Sequence, residues 1–386
     1  MIKAIGNYFK KAIYNLDPIL FICVTLLSFI SIITIAGMGD LGKRTLIMQI
    51  AMTVAGAFML LIIANLDYHW IVDKLWIIFI GAGALFLIVT LVFGVSGVTI
   101  ETGNKSWLRI PIVGVMIQPS EFVKILLICS FAKHLSIAGD DLNKPKHLLL
   151  LAAHAGLIVG LILLSGDLGV ALVYMGFLVI MLFCAGLSPW YFLGGLGTLV
   201  IAFPAIWNYF LKDYQKERII VGFNPELDPT GKGQQPLLSK QCIENGGWFG
   251  IGFSNDGAYV KNPASHTDFI YSSICEKFGF FAGILVIILM LILVIRIFII
   301  AYKCGKDYGG LICIGVGAIM LVQTAENIGM CLAMVPVVGI TLPFVSAGGS
   351  SMLATYILIA LVHCVRGHCA RSMATDMSLR RRRRKT

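Results

Sequence analysis

Long apolar runs dominate the chain, and short polar stretches punctuate them. A helix that crosses a bilayer needs roughly 20 mainly apolar residues, because every backbone polar group must find its partner inside the segment. Ten runs meet this need: 19–38, 46–64, 75–95, 119–137, 148–164, 168–186, 190–211, 278–302, 309–334 and 341–365. The pattern predicts an all-α polytopic membrane protein with ten transmembrane helices. The first run is longer than the apolar region of a cleaved signal peptide, so it is expected to be retained. Ahead of it, Ile2, Ile5, Phe9, Ile13 and Leu16 recur at helical spacing among Lys3, Lys10 and Lys11. That is either an amphipathic helix lying in the membrane interface or an ordinary basic flank.

Composition agrees with the pattern. Of 386 residues, 58% are hydrophobic and 13% charged, against roughly 45–50% and about 25% in soluble domains. This excludes a string of soluble domains, whose cores are too small to hide so much apolar surface, and it excludes disorder. The net charge of +10 would suit nucleic acid if it were spread over a surface. It is not spread: residues 366–386 carry eight basic groups and one acid. Ten spans put both termini on one side. On that side lie Lys74, Lys133, Lys144, Lys146, Arg296, Lys303 and Lys306, together with the basic residues of both ends, and the opposite side is poorer in Lys and Arg. Both ends are therefore expected to be cytoplasmic. One membrane domain, 1–365, would carry a large extracytoplasmic loop, 212–277, and end in a basic cytoplasmic tail, 366–386, that holds anionic lipid headgroups. No nucleic-acid partner is expected.

Ionisable residues inside spans are expensive and point to function. Glu121 and Lys124 lie one helical turn apart and can pair. Asp167 opens the sixth span, where a helix N-terminus favours negative charge. Gln323, Glu326 and Asn327 cluster in the ninth. Each has a structural reading, as a neutral pair or a cap. Together they favour a polar cavity that opens outward. The outer loop adds His266-Thr267-Asp268-Phe269, and the stretch Leu342 to Ser351 is a Gly/Ser-rich break beside a span. Irregular backbone at membrane depth survives only when it is buried in protein or lines a cavity. A transporter using Glu121, Asp167 and Glu326, and a membrane enzyme, both fit these features.

The ten cysteines form no CxxC pair. Cys23, Cys129, Cys184, Cys313 and Cys331 read as small hydrophobes within spans. Cys242 and Cys275 share the outer loop and are candidates for a disulfide. His363, Cys364, His368 and Cys369 suggest a metal cluster by composition, but their spacing matches no usual zinc pattern; the alternative is a plain membrane-exit segment.

Taken together, these residues resemble the SEDS family of cell-wall polymerases, the RodA/FtsW/SpoVE group. Trp107 with Gln118-Pro119-Ser120-Glu121-Phe122-Val123-Lys124, Asp167-Leu168-Gly169, Asn224-Pro225-Glu226-Leu227-Asp228-Pro229, His266-Thr267-Asp268-Phe269-Ile270 with Glu276, Asn327-Ile328-Gly329, and Leu342-Pro343-Phe344 with Gly348-Gly349-Ser350-Ser351 follow the family's order. The wording of the outer-loop motifs is closer to RodA than to FtsW. Ser106 stands where a basic residue often precedes the Trp, and Lys277 where a second acid often follows Glu276.

The resemblance implies a peptidoglycan glycosyltransferase that polymerises lipid II by inverting transfer on the outer face of the bacterial cytoplasmic membrane. It assigns Asp268 as catalytic. Substrate contacts are expected from Lys105, Trp107, Arg109, Glu121, Lys124, Asp167, Arg218, His266, Ser346, Gly348, Gly349 and Ser350. It implies a class B penicillin-binding protein as partner, and a divalent cation, magnesium or manganese, is a candidate cofactor. The resemblance points to rod-shape elongation, with an FtsW- or SpoVE-type polymerase of division or sporulation as the alternative, and a lipid II flippase and a scaffold for another enzyme are the rival readings.

Overall fold

The computed structural model describes residues 8, 12–13, 15–39, 42–96, 105–109, 116–211, 213–305 and 307–383. Among these, helices account for nearly all regular structure. The apolar helices are α1 (Pro18–Ala36), α2 (Lys43–Ile63), α3 (Tyr68–Phe93), α4 (Pro119–Ala138), α5 (Pro145–Leu164), α6 (Leu168–Cys184), α7 (Pro189–Ala205), α10 (Ile270–Cys304), α11 (Tyr308–Cys331) and α12 (Gly349–Arg383), with the amphipathic α8 (Asp213–Phe223) and α9 (Gln234–Gly246) between α7 and α10. Nine of the described helices are long and apolar enough to cross a membrane, and the 17-residue α6 is a shorter apolar helix. The interfacial helix expected at the N-terminus falls mostly outside the described residues, as do Arg384 and Lys385 of the tail.

Helix starts follow from capping chemistry. Asp17, Asp67 and Asp167 each accept a hydrogen bond from a backbone N–H in the first turn, at Leu20, His69 and Val170 respectively. Such bonds satisfy donors that have no partner inside the helix. Proline opens α1, α4, α5 and α7, where its missing N–H costs nothing.

Three boundaries differ from the hydropathy pattern. The third helix begins at Tyr68 rather than 75, because Asp67 caps it and the polar His69, Asp73 and Lys74 ride on its first turns. The eighth span is part of a longer helix starting at Ile270, which breaks at Gly279. There φ is +82°, and a Cβ would lie 2.3 Å from the Trp248 carbonyl oxygen, so only glycine fits. The last span starts at Gly349 rather than 341, and 332–348 is irregular. Phe344 in that stretch has φ +63°. A non-glycine residue there stores about 1–3 kcal/mol of strain, and its buried ring is held edge-on to Tyr356 with centroids 5.3 Å apart.

A small antiparallel sheet also forms between α3 and α4, with Val95 opposite Trp107 and Leu108 opposite Ile117. The main core runs through α1, α4, α6, α10, α11 and α12. By contrast, α7 buries none of its residues. A satellite cluster of Met38, Cys242, Ala258 and Tyr259 seats α9 on the end of α1.

The cysteine expectations are corrected. Cys242 and Cys275 are both buried and free; Cys242 faces the satellite cluster, while Cys275 packs beside Tyr271 and Gly283 in the main core. A disulfide joins Cys304 to Cys369 instead. The metal reading of the 363–369 stretch fails as well. His363 Nδ1 accepts from the Asp17 N–H, the Cys364 thiol donates to the Leu66 carbonyl, and no group of three metal-binding side chains occurs among the described residues.

Candidate active site

The polar residues of the spans converge at one end of the helical body. Lys124 and Glu121 form a buried pair, Nζ to Oε2 2.6 Å, and the Gln323 Oε1 lies 3.5 Å from the same ammonium. The desolvation of both charges is offset only by close geometry of this kind. Around them a cavity is lined by Gln118, Ser120, Glu121, Lys124, Tyr174, Gln323, Gly339 and Thr341. A second cavity shares Ser120 and is lined by Thr90, Ser106, Ser165 and Asp167. Tyr174 closes the seam between them, its hydroxyl donating to the Ser120 carbonyl at 2.5 Å.

Asp268 lies beside one wall of the first cavity, next to Gly339. A Cβ placed on Gly339, which lines that cavity, would sit 3.6 Å from Asp268 Oδ2. Among the described residues no hydrogen-bond donor holds the carboxylate, so its oxygens are free to act. Burial pushes its pKa up to about 6; nearby Arg218 pulls it down and Asp167 pushes it up. Asp167 is likewise raised by burial, against the Val170 N–H and the field of Arg218. Arg218, from the amphipathic α8, thus lies near enough for its charge to act on both carboxylates. His266 is half-buried, and burial lowers its pKa.

The loop that carries Asp268 is held from two sides. The Asn327 side-chain amide donates to the Asp268 carbonyl at 2.8 Å and to the Ile340 carbonyl at 2.6 Å. The Ser346 hydroxyl donates to the Thr267 carbonyl and accepts from the Leu342 N–H, both at 2.7 Å. The Ala347 N–H donates to the His266 carbonyl at 2.9 Å.

The predicted residues therefore divide. Asp268, Glu121, Lys124, Asp167 and Arg218 come together. Ser346 is buried with its hydroxyl committed to backbone, so it braces the loop. Ser350 opens α12, its hydroxyl 3.4 Å from the Gln118 N–H, beside Gly348 and Gly349. Lys105 and Arg109 are exposed on the sheet and line neither cavity, and Trp107 between them is half-buried. Sequence reasoning missed Tyr174 and Thr341, and met Gly339 only as part of the family pattern, with no contact assigned to it. Tyr174 had a signal, as the one hydroxyl in an otherwise apolar span. Thr341 had none, since a contact between distant parts of the chain leaves no local pattern.

The comparisons with known proteins agree with this geometry. A family model for the FtsW/RodA/SpoVE group, described as "Cell cycle protein", matches residues 13–370. The chain is 29% identical over 381 residues to the probable peptidoglycan glycosyltransferase FtsW of Trichlorobacter lovleyi, covering 94% of this chain and 95% of that one. A solved peptidoglycan synthase complex, reported as coordinating polymerization and crosslinking, contains a chain that superposes with TM-score 0.78 at 28% identity, over 92% of this chain and 98% of that chain. The crystal structure of the rod shape determining protein RodA of Thermus thermophilus shares the fold, with TM-score 0.67 at 24% identity over 91% and 96% of the two chains. A helical body with membrane-length spans is thus matched over nearly its whole length, and the chain belongs to the FtsW/RodA/SpoVE family.

Proposed function

We propose that this chain is a peptidoglycan glycosyltransferase that polymerises lipid II at the cavity beside Asp268. The observation that carries the reading is the Asp268 carboxylate beside Gly339 of the cavity wall, held by no donor among the described residues and within the field of Arg218, in a chain of this family. A sugar 4-hydroxyl of the acceptor attacks the anomeric carbon of the donor. The new C–O bond forms as the bond to the lipid pyrophosphate breaks, and the anomeric centre inverts. Asp268 takes the hydroxyl proton, a step worth about 10²–10⁴-fold. Pyrophosphate departs with the bonding electrons, and Arg218 and Lys124 are the cations of the site that stabilise its growing charge. Pyrophosphate is already a good leaving group, so no second carboxylic acid is needed.

No three carboxylate, histidine or cysteine side chains converge among the described residues. The site does not fit a divalent cation held by protein ligands alone, and no step here runs through one.

The membrane is the bacterial cytoplasmic membrane, with the cavity facing outward and the basic tail inside. The partner is a class B penicillin-binding transpeptidase, which would crosslink the strands made here. The RodA-like wording of the outer-loop motifs supports a role in rod-shape elongation rather than in division or sporulation.

The test uses purified full-length protein with lipid II, with and without that partner, and reads both glycan strands and lipid translocation in liposomes. Asp268→Asn is expected to lower the polymerisation rate at least 10²-fold. Wild-type polymerisation by that variant would refute the base assignment, and translocation without polymerisation by the native chain would favour a flippase.

A further inference from the structure

Asp268 sits on irregular backbone, between the Asn262 turn and the start of α10. Nothing in a loop of this kind fixes a carboxylate to the tenths of an ångström that proton transfer rewards; a misplacement of about 1 Å can cost on the order of 10²-fold in rate. The support has to come from outside the loop. In α11, Asn327 is completely buried, and it spends both of its amide hydrogens on backbone carbonyls, those of Asp268 and Ile340. The two carbonyls belong to the two walls of the cleft: the loop that presents the carboxylate, and the irregular segment that carries Gly339 opposite it.

We propose that Asn327 is a positioning residue for Asp268, setting the width of the gap between the Asp268 carboxylate and the Gly339 backbone where the acceptor hydroxyl enters. Three observations support it beyond the two hydrogen bonds. Gly339 has φ +71°, and a Cβ placed there would meet the Asp268 Oδ2 at 3.6 Å, so this wall is held in a backbone conformation that glycine favours, close beside the carboxylate. The Ser346 hydroxyl makes a parallel tie one residue earlier, between the Thr267 carbonyl and the Leu342 N–H. The Asp268 side chain itself is held by no described donor, so its place is inherited from its backbone. Only an unbranched primary amide has two hydrogens that can reach two carbonyls from a side chain this short. A hydroxyl has one, and an ionised carboxylate has none.

This inference rests on the reading of Asp268 as the base, and the experiment separates the two. Full-length protein with its transpeptidase partner is assayed on lipid II for kcat, KM and the pH profile, beside a thermal melt. Asn327→Leu keeps the volume and loses the donors. It is expected to lower kcat on the order of 10–100-fold with KM within about twofold, and to move the acid limb of the kcat/KM profile to lower pH as the loosened carboxylate gains water. Asn327→Gln, which keeps the amide, is expected to recover part of kcat. Should Asn327→Leu fail to fold, Ser346→Ala loosens the same cleft from its other tie and is expected to lower kcat several-fold with the same KM and the same direction of pH shift.

Wild-type kcat in Asn327→Leu would overturn the proposal. So would a rate loss that tracks the folded fraction with the acid limb unmoved, or an unchanged rate and profile in Ser346→Ala when that variant stands in. If Asp268→Asn is inactive while Asn327→Leu is fully active, only the positioning role falls. If Asp268→Asn is fully active, the base assignment falls with it.

Discussion

The role proposed for Asp268 depends on its surroundings. An aspartate in water is ionised well below neutrality, and its proton affinity is too weak for an efficient base. Here burial raises it to about 6, Asp167 adds to the rise, and Arg218 opposes it; His266 is the other titratable group of the loop. Only the ionised carboxylate accepts a proton. The rate of polymerisation, measured as kcat/KM in the purified protein, is therefore expected to be half-maximal near pH 6 and to fall about tenfold per unit below it. A flat profile between pH 5 and 8 would remove Asp268 as the titrating base. The same shift costs stability. Between the unfolded value near 4 and the folded value near 6, the folded state binds the extra proton, so stability declines as pH rises through this window and levels off above it. Asp268→Asn, with no charge to bury, is expected to be more stable than the native chain at pH 8 by about 1–3 kcal/mol, and a melt at pH 5 should show the advantage shrinking.

At the scale of elements, the segment between α7 and α10 is fastened to the first part of α10. Glu276 and Lys277 are consecutive and wholly buried. The Glu276 carboxylate accepts from the Asn245 amide at 3.0 Å and from the Ala258 and Tyr259 N–H groups at 2.7 and 2.9 Å. The Lys277 ammonium donates to the Phe253 and Asn255 carbonyls and lies 4.5 Å from the centroid of the Tyr259 ring. One residue thus gathers backbone donors and the next gathers backbone acceptors, which explains why a cation is tolerated where the family often has an acid. Glu276→Ala strands three donors in the protein, at a cost of about 1–3 kcal/mol for a lost acceptor of this kind. Hydrogen exchange is expected to rise over 234–262 while α4 and α11 stay protected. Equal protection in that loop would mean that it is held by other contacts. The motif around Glu276 was legible in the sequence. That Asn245, Ala258 and Tyr259 meet it was not, since those contacts span 17 to 31 residues of irregular chain.

Over the whole molecule, the start of α1 is locked to the later part of α10 and to α12. Asp17, fully buried, receives both Nε and Nη2 of Arg296, with Nη2 to Oδ2 at 2.8 Å, and the Nε of Arg366 at 3.3 Å. Burial would raise this carboxyl, but the Arg296 bonds outweigh it and hold it below the usual range. The clamp joins α1, α10 and α12. Its stabilisation is complete above the unfolded pKa near 4 and is lost only as pH falls through the lower folded value. Arg296→Met leaves a buried carboxylate with Arg366 as its remaining cation. A loss toward the lower end of about 3–5 kcal/mol is expected, read as a lower melting temperature in detergent, with the effect present throughout pH 5–8. A melt that matches the native chain would show that Arg366 alone suffices.

Some of this was settled by the sequence alone. The membrane class and the approximate spans follow from run length and composition, because a backbone in lipid has few ways to satisfy its hydrogen bonds. The Glu121–Lys124 pair follows from helical spacing, and the choice of Asp268 as the candidate base from a motif. Other features needed the folded chain. That the charge of Arg218 reaches both Asp167 and Asp268, that Ser346 braces rather than faces the cavity, that Lys105 and Arg109 stand away from it, and that Asn327 ties the two walls of the cleft all depend on residues brought together from distant parts of the chain. Periodicity reports which face of a helix is apolar. It carries no information on which polar atoms meet across helices, because that is set by packing of the whole body, and packing is where the burial that tunes Asp268 arises.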